Sequence, residues 1–283
     1  MIRLFRQAIQ WLYFLWLISV FLSCLLLTFP ILLFLLLFPE NYRDRLMFHL
    51  MRIITPLCLA CCGIININVN RSKVRWNTSC IIIPSHQCYL DAALIYLGIP
   101  KRFKTLGKIE IAKTPLYGLM YKMVVILVDR TTIQSKALSF RKMKKEMEKG
   151  CSLIIFPEGT FADHISTQLS PFQAGAFSLA IMQQVPLQPI LYPDAAKRMH
   201  PSRWWQCTPG ITRTIFLPSI STQGLTKYHT RLLTQYSQDY IQYCYTHYTH
   251  QTHTSVWNLA NEWLKNNPIQ IPNKSSYSED ATV

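Results

Sequence analysis

Cys80-Ile81-Ile82-Ile83-Pro84-Ser85-His86-Gln87-Cys88-Tyr89-Leu90-Asp91 is the stretch from which the rest of the chain can be read. A short β-branched apolar run ends at a proline, a polar turn follows, and residues 92–97 resume with helix-compatible spacing. Strand, turn and helix in that order are the unit of an α/β sheet, with polar residues gathered where the strand ends. His86 and Asp91 are five residues apart, which on one continuous helix would separate them by about 140°. They meet if His86 lies in the turn and Asp91 in the first helical turn. Asp91 can then hold one imidazole nitrogen and fix the tautomer, leaving the other nitrogen to take a proton from a hydroxyl. No serine or cysteine nucleophile is required if that hydroxyl belongs to the substrate.

The same alternation extends outward from this stretch. Strand-like runs fall at 80–84, 103–106, 124–128, 152–156 and 187–192, and helical runs at 90–97, 116–122, 136–149 and 173–184. Residues 211–217 add a further candidate strand and 228–248 a further candidate helix, and 266–283 read as a loose polar tail. The expected fold is therefore α/β, with an acyclic alternation of strand and helix over residues 71–265.

Before this domain the chain is different in kind. From Gln7 to Pro39 it has 33 residues without Asp, Glu, Lys or Arg, most of them Leu, Phe, Ile, Trp or Tyr. About 20 apolar residues span a bilayer core. A secretory signal has a shorter apolar stretch and a small-residue cleavage site, and Phe29-Pro30-Ile31-Leu32 supplies none, so the segment reads as retained. Pro30 predicts a break, and 46–69 reads as one amphipathic helix interrupted by His49, Arg52 and Pro56, which gives an amino-terminal membrane anchor over residues 1–70. Arginines flank the apolar run on both sides, Arg3 and Arg6 before it and Arg43, Arg45 and Arg52 after it. A single crossing and a monotopic helical hairpin with both ends cytoplasmic both remain open.

Composition narrows the function. The chain has 283 residues, 50% of them hydrophobic, and 29 Lys and Arg against 14 Asp and Glu, for a net charge of +15. So apolar a chain is neither disordered nor collagen-like. Its nine cysteines are odd in number and irregularly spaced, the mark of reduced thiols in a cytosolic domain rather than a disulfide framework. Residues 101–149 carry 13 Lys or Arg against 4 Asp or Glu, a net of +9 suited to lipid headgroups or the phosphates of an acyl donor. Nucleic acid is the rival partner for such charge. It is set aside because no zinc spacing, helix-turn-helix or RNA-binding signature accompanies the charge.

Two more motifs carry chemistry. Phe156-Pro157-Glu158-Gly159-Thr160 ends the 152–156 run, where glycine permits a tight turn and Thr160 offers a hydroxyl donor. Glu158 suits a cation such as Arg130 or a substrate hydroxyl better than a phosphate, because like charges repel. Val124-Val125-Ile126-Leu127-Val128-Asp129-Arg130 delivers a guanidinium at the end of a strand, and guanidinium suits bidentate phosphate binding.

Taken together, these motifs resemble the 1-acylglycerol-3-phosphate acyltransferase family of the glycerolipid acyltransferase superfamily. His86 and Asp91 match its H-x4-D motif. Lys108, Glu110, Pro115 and Gly118 resemble the next block, and Asp129 and Arg130 end the third. Phe156 to Thr160 is the F-P-E-G-T block, with Glu158 72 residues after His86, and Val185-Pro186-Leu187-Gln188-Pro189-Ile190 looks like the final proline motif. The resemblance implies a glycerolipid acyltransferase-like αβ domain with a hydrophobic helical anchor, bound to the membrane with its catalytic domain on the cytoplasmic side. It also implies acyl transfer, without a cofactor or metal, from acyl-coenzyme A or acyl carrier protein to a lysophospholipid hydroxyl, with 1-acylglycerol-3-phosphate giving phosphatidic acid. His86 and Asp91 would be catalytic, and Lys108, Arg130, Glu158, Gly159 and Thr160 would bind substrate.

Three positions depart from the family pattern. Val124 stands where glycine is common, Phe161 where arginine follows the threonine, and Phe172-Gln173-Ala174-Gly175 lacks the usual lysine. With two cations missing near the headgroup, an acceptor other than lysophosphatidate is the first alternative. A hydrolase using Cys88 as its nucleophile and an inactive membrane scaffold are the others. Cys58, Cys61 and Cys62 lack a second ligand pair and read as buried thiols, and His247, His250 and His253 as a solvated run rather than a metal site.

Overall fold

In a computed structural model, residues 2–128, 132–161, 164–248 and 253–270 are described. Seven strands form one sheet in the order β1-β7-β6-β2-β5-β3-β4. They are β1 (Ile64–Val69), β2 (Ile81–Pro84), β3 (Phe103–Lys108), β4 (Val125–Val128), β5 (Ser152–Ile154), β6 (Leu187–Leu191) and β7 (Gly210–Phe216). All neighbouring pairs are parallel except β6 and β7. Parallel strands need crossovers, and α3 (Asp91–Gly98), α4 (Tyr117–Val124), α5 (Ile133–Glu148) and α6 (Gly175–Gln183) supply them. After α7 (Ala195–Arg198) and β7, the chain ends in α8 (Thr230–Tyr248) and α9 (His253–Asn266). The central strands read as unbroken apolar runs because both faces are covered. Ile81, Ile82, Ile83, Leu153, Ile154, Leu187, Ile190 and Leu191 are all fully buried. The parallel register brings the carboxyl ends of β2, β5, β3 and β4 to one edge of the sheet, where ligands of open α/β sheets bind.

The helices and strands expected from sequence are present, with three differences. First, no break occurs at Pro30. Helix α1 (Ile2–Leu35) runs through it. One turn before it, the Thr28 hydroxyl donates to the carbonyls of Cys24 and Leu25. Leu32 and Leu35 pack with Met47 and Met123 just beyond it. The reversal falls instead at residues 36–39, where the amides of Leu36, Leu37 and Phe38 reach back three residues and Pro39 opens α2 (Glu40–Cys61). Second, the helix expected over 46–69 ends at Cys61. Residues 64–69 are strand β1, paired residue for residue with β7, so they belong to the sheet and not to the anchor. Asn66 and Asn68 disguised that strand. Both face inward, where Thr212 and Thr214 donate to Asn66 Oδ1 and Asn68 donates to the carbonyl of Leu97. Third, β5 stops at Ile154, which frees Phe156 to enter the site. The carboxyl-terminal helix continues to Asn266, and most of the expected tail lies outside the described residues.

Helix α1 is docked along its length. Trp11 stacks on Trp205, Phe14 meets Trp204 edge to face, and Phe21 lies against Tyr117. Tyr13 Oη and Trp16 Nε1 donate to the carbonyls of Cys62 and Cys61, at the carboxyl end of α2. Its outer face is left apolar and exposed, with Leu12, Leu15, Leu22, Leu26, Leu27 and Leu33 all open. The stretch Gln7–Leu35 is long and apolar enough to cross a membrane.

Candidate active site

Two buried carboxylates organise the end of β2. His86 lies in the turn after the strand and Asp91 is the first residue of α3, the placement that lets side chains five residues apart converge. His86 Nδ1 lies 3.0 Å from Asp91 Oδ2. The same oxygen accepts the amides of Gln87 at 2.5 Å and Cys88 at 3.0 Å. Asp91 is fully buried, so these donors and the amino end of α3 are what hold its negative charge in place. Its other oxygen, Oδ1, is buried without a hydrogen-bond partner among the described residues, and so is the hydroxyl of Tyr192. An acceptor that makes Oδ2 a shared hub fixes the ring with Nδ1 protonated, leaving Nε2 as the basic nitrogen.

The second carboxylate holds the turn from the other side. Glu158 Oε1 accepts the amide of His86 at 2.8 Å and Oε2 that of Ser170 at 2.9 Å. Only 6% of Glu158 is exposed, and burial pushes its carboxyl above the usual range, against the two amides and His86, which pull it down. Glu158 therefore faces inward as a brace between two loops. Arg130, the cation expected beside it, lies outside the described residues. Gly159 makes the turn possible, with φ of +73° and its amide on the carbonyl of Phe156 at 3.1 Å. Thr160 is exposed beside it. The loop that follows is held by α8, where Gln242 and Gln238 accept the amides of Leu169 and Phe172.

Aromatic rings surround the imidazole. Phe156 stacks on it with centroids 4.1 Å apart, and Phe161 meets it edge to face at 4.9 Å. Tyr89 in turn packs on Phe161 at 4.9 Å. The imidazole keeps 17% of its surface open. Phe161, which sequence marked only as a missing arginine, is thus a wall of the site.

Lys108 ends β3 and is exposed on the same sheet edge as His86. It pairs in register with Val128, the last residue of β4. Arg130, two residues beyond, lies outside the described residues. Gly118 has a steric reason to be glycine, because a Cβ there would sit 2.4 Å from the carbonyl oxygen of Ala112.

The amides of His86, Gln87 and Cys88 are all bound to the carboxylates of Glu158 and Asp91, so none of them is free to receive an oxyanion. Cys88 as a nucleophile is overturned. Its side chain is fully buried, and burial and the nearby Asp91 push its thiol well above the ordinary range. Among the described residues no group of His, Cys, Asp and Glu could hold a metal. His247 Nδ1 lies 2.8 Å from the carbonyl of Tyr243, His250 lies outside the described residues, and the nine cysteines are free thiols.

A mostly parallel sheet carries the H-x4-D turn at the end of β2 and F-P-E-G-T after its neighbour β5. Residues 66–193 match the family model described as Acyltransferase. Its start at residue 66 falls inside β1, in accord with that strand's place in the sheet. The chain is 24% identical over 223 residues to the probable 1-acyl-sn-glycerol-3-phosphate acyltransferase of Mycoplasma pneumoniae, covering 73% of this chain and 82% of that protein. It is 30% identical over 149 residues to the human 1-acyl-sn-glycerol-3-phosphate acyltransferase beta, covering 52% of each. Its fold matches the crystal structure of the 1-acyl-sn-glycerophosphate (LPA) acyltransferase PlsC from Thermotoga maritima with a TM-score of 0.70, covering 88% of this chain and 99% of that one at 16% identity.

Proposed function

We propose that this protein transfers a fatty acyl group from acyl-coenzyme A or acyl carrier protein to the free hydroxyl of a lysophospholipid, with 1-acylglycerol-3-phosphate as acceptor and phosphatidic acid as product. The observation that carries the reading is the His86 Nδ1 to Asp91 Oδ2 contact of 3.0 Å inside the stretch that matches the Acyltransferase family model. His86 Nε2 takes the hydroxyl proton as the oxygen attacks the thioester carbonyl. The carbon–sulfur bond breaks, the ester bond forms, and His86 returns the proton to the leaving thiolate. Asp91 stabilises the imidazolium in between, and such acid–base help is worth roughly 10² to 10⁴ in rate. Phe156 stacked on the imidazole and Phe161 set edge to face against it shield the ring from water, which favours transfer to a lipid hydroxyl over hydrolysis. Lys108 and Arg130 supply cations for the acceptor phosphate, with Gly159 and Thr160 shaping the loop opposite.

The membrane reading rests on α1. A helix held against the domain from Trp11 to Leu35, with its other face apolar, lies in the plane of the interface rather than crossing away from the domain. That arrangement keeps the sheet edge at the lipid surface, and the arginines on both flanks of the apolar run together with the free thiols support a cytoplasmic side.

A second acceptor class is favoured by one observation, the phenylalanine ring of Phe161 at the position where a cation is usual. The test is transfer from labelled acyl-coenzyme A and acyl carrier protein to lysophosphatidate beside lysophosphatidylcholine, lysophosphatidylethanolamine and lysophosphatidylglycerol. A preference for lysophosphatidate is expected. A preference for a zwitterionic acceptor moves the substrate and keeps the reaction.

A further inference from the structure

A cleft of about 380 Å³ opens at the end of the sheet opposite His86, lined by Arg45, Phe48, His49, Arg52, Pro100, Arg102, Lys149 and Gly150. Asp91 begins α3 beside the imidazole and Pro100 lies just past its end, so the length of that helix, about 12 Å, separates the two places. Five basic side chains meet here from three elements, α2, the start of β3 and the end of α5. Their counter-charges are few. Glu146 holds Lys149 at 2.7 Å, and Asp44 pairs with Lys104 next to the cleft at 3.0 Å, with Glu40 near Lys149. Arg52 donates to the carbonyl of Pro100 at 3.1 Å, and none of Arg45, Arg52 and Arg102 forms an ion pair among the described residues.

The cleft borders an apolar stripe. At 100° per residue, Tyr42, Leu46, Ile53 and Leu57 of α2 fall within about 60° of one another, and they are 64%, 43%, 62% and 60% exposed. Arg45, His49 and Arg52 form the neighbouring row on the same helix. An exposed apolar row beside a cationic row places the first at the acyl boundary and the second at headgroup depth. We infer that this cleft binds the phosphate of an anionic membrane phospholipid, a site separate from the catalytic edge. The inference rests on the membrane reading of α1 given above. Headgroup binding here fixes the rotation of α2 about its axis and so the height of the catalytic edge above the bilayer.

The test is flotation of the full-length chain with phosphatidylcholine vesicles and with vesicles containing 30% phosphatidylglycerol, comparing wild type with Arg45→Gln/Arg102→Gln. Each Lys or Arg at an anionic surface is worth about fivefold in partitioning. The double variant is expected to lose on the order of tenfold or more of the anionic increment, keep its partitioning to phosphatidylcholine, and recover with Arg45→Lys/Arg102→Lys. Lys142→Gln/Lys145→Gln on α5, which removes the same charge outside the cleft, is expected to lose much less. An equal loss from both double variants overturns the site in favour of diffuse charge. A raised KM for acyl-coenzyme A with unchanged partitioning assigns the cleft to the donor and overturns it too. Failure of the wild type to float with either vesicle overturns the membrane reading itself.

Discussion

Asp91→Asn isolates the charge at the centre of the site. The substitution keeps the shape and one carbonyl-type oxygen, so the amides of Gln87 and Cys88 retain an acceptor. What it removes is the negative charge that His86 meets at 3.0 Å. Hydrogen bonds to a charged acceptor contribute roughly 1.5–3 kcal/mol against about 1 for a neutral one. Three donors on Oδ2 therefore lose on the order of 2–4 kcal/mol of interaction. Part of this is offset because a fully buried carboxylate no longer has to be desolvated. The net change expected is about 1–2 kcal/mol, or a few degrees in Tm for a chain of this size. The rate responds far more. With its oxygen kept toward the three donors the asparagine leaves the imidazolium without a counter-charge, and with its N–H turned to Nδ1 it holds the wrong tautomer at the expense of the Gln87 and Cys88 amides. In a related acid–base arrangement such a change lowers turnover by about 10⁴. Acyl transfer and thermal unfolding are measured on the same detergent preparation. A loss of 10³ or more with a Tm within about 5 °C of wild type is expected, and His86→Ala/Asp91→Asn should be no worse than His86→Ala alone. Activity within tenfold of wild type would refute the role given to Asp91.

Other outcomes follow from the same geometry. Glu158→Gln offers one acceptor to two amides, so it should loosen the turn and lower transfer about 10- to 100-fold without abolishing membrane association, read by assay and flotation. Because the folded-state pKa of Glu158 is raised, its contribution to stability is present below the ordinary value of 4.5 and lost as pH rises through the folded value. Denaturant unfolding from pH 4 to 8 should show that decline in wild type and a flatter profile in Glu158→Gln. Cys88→Ser should keep most activity, and iodoacetamide should leave Cys88 unlabelled until the chain is unfolded, as mass spectrometry will show. Gly118→Ala forces a Cβ to within 2.4 Å of a backbone oxygen and should destabilise by about 1–3 kcal/mol, seen as a lower Tm.

The sheet and the dyad were legible because they depend on local patterns. Buried parallel strands show as apolar runs, and a turn between strand and helix brings residues five apart together. What was missed depends on contacts far along the chain. Strand β1 carries two asparagines that look solvated until Thr212 and Thr214, almost 150 residues later, donate to Asn66, and the carbonyl of Leu97 accepts from Asn68. Pro30 reads as a breaker, yet the packing of Leu32 and Leu35 against Met47 and Met123 holds the helix on course beyond it. The bracing role of Glu158 was not legible because its partners are the backbone amides of His86 and Ser170, which no side-chain pattern announces. The aromatic walls of the site were present in the sequence as Phe156 and Phe161, but only the early end of β5 turns them toward His86.

The central claim is that His86 is the base for transfer to a lipid hydroxyl. Its most direct measurement is the rate of diacyl product formation from labelled acyl-coenzyme A and lysophosphatidate, in membranes carrying equal amounts of wild type or His86→Ala. The account predicts product from the wild type and a rate at least 10² lower from the variant. Equal product from both would contradict it.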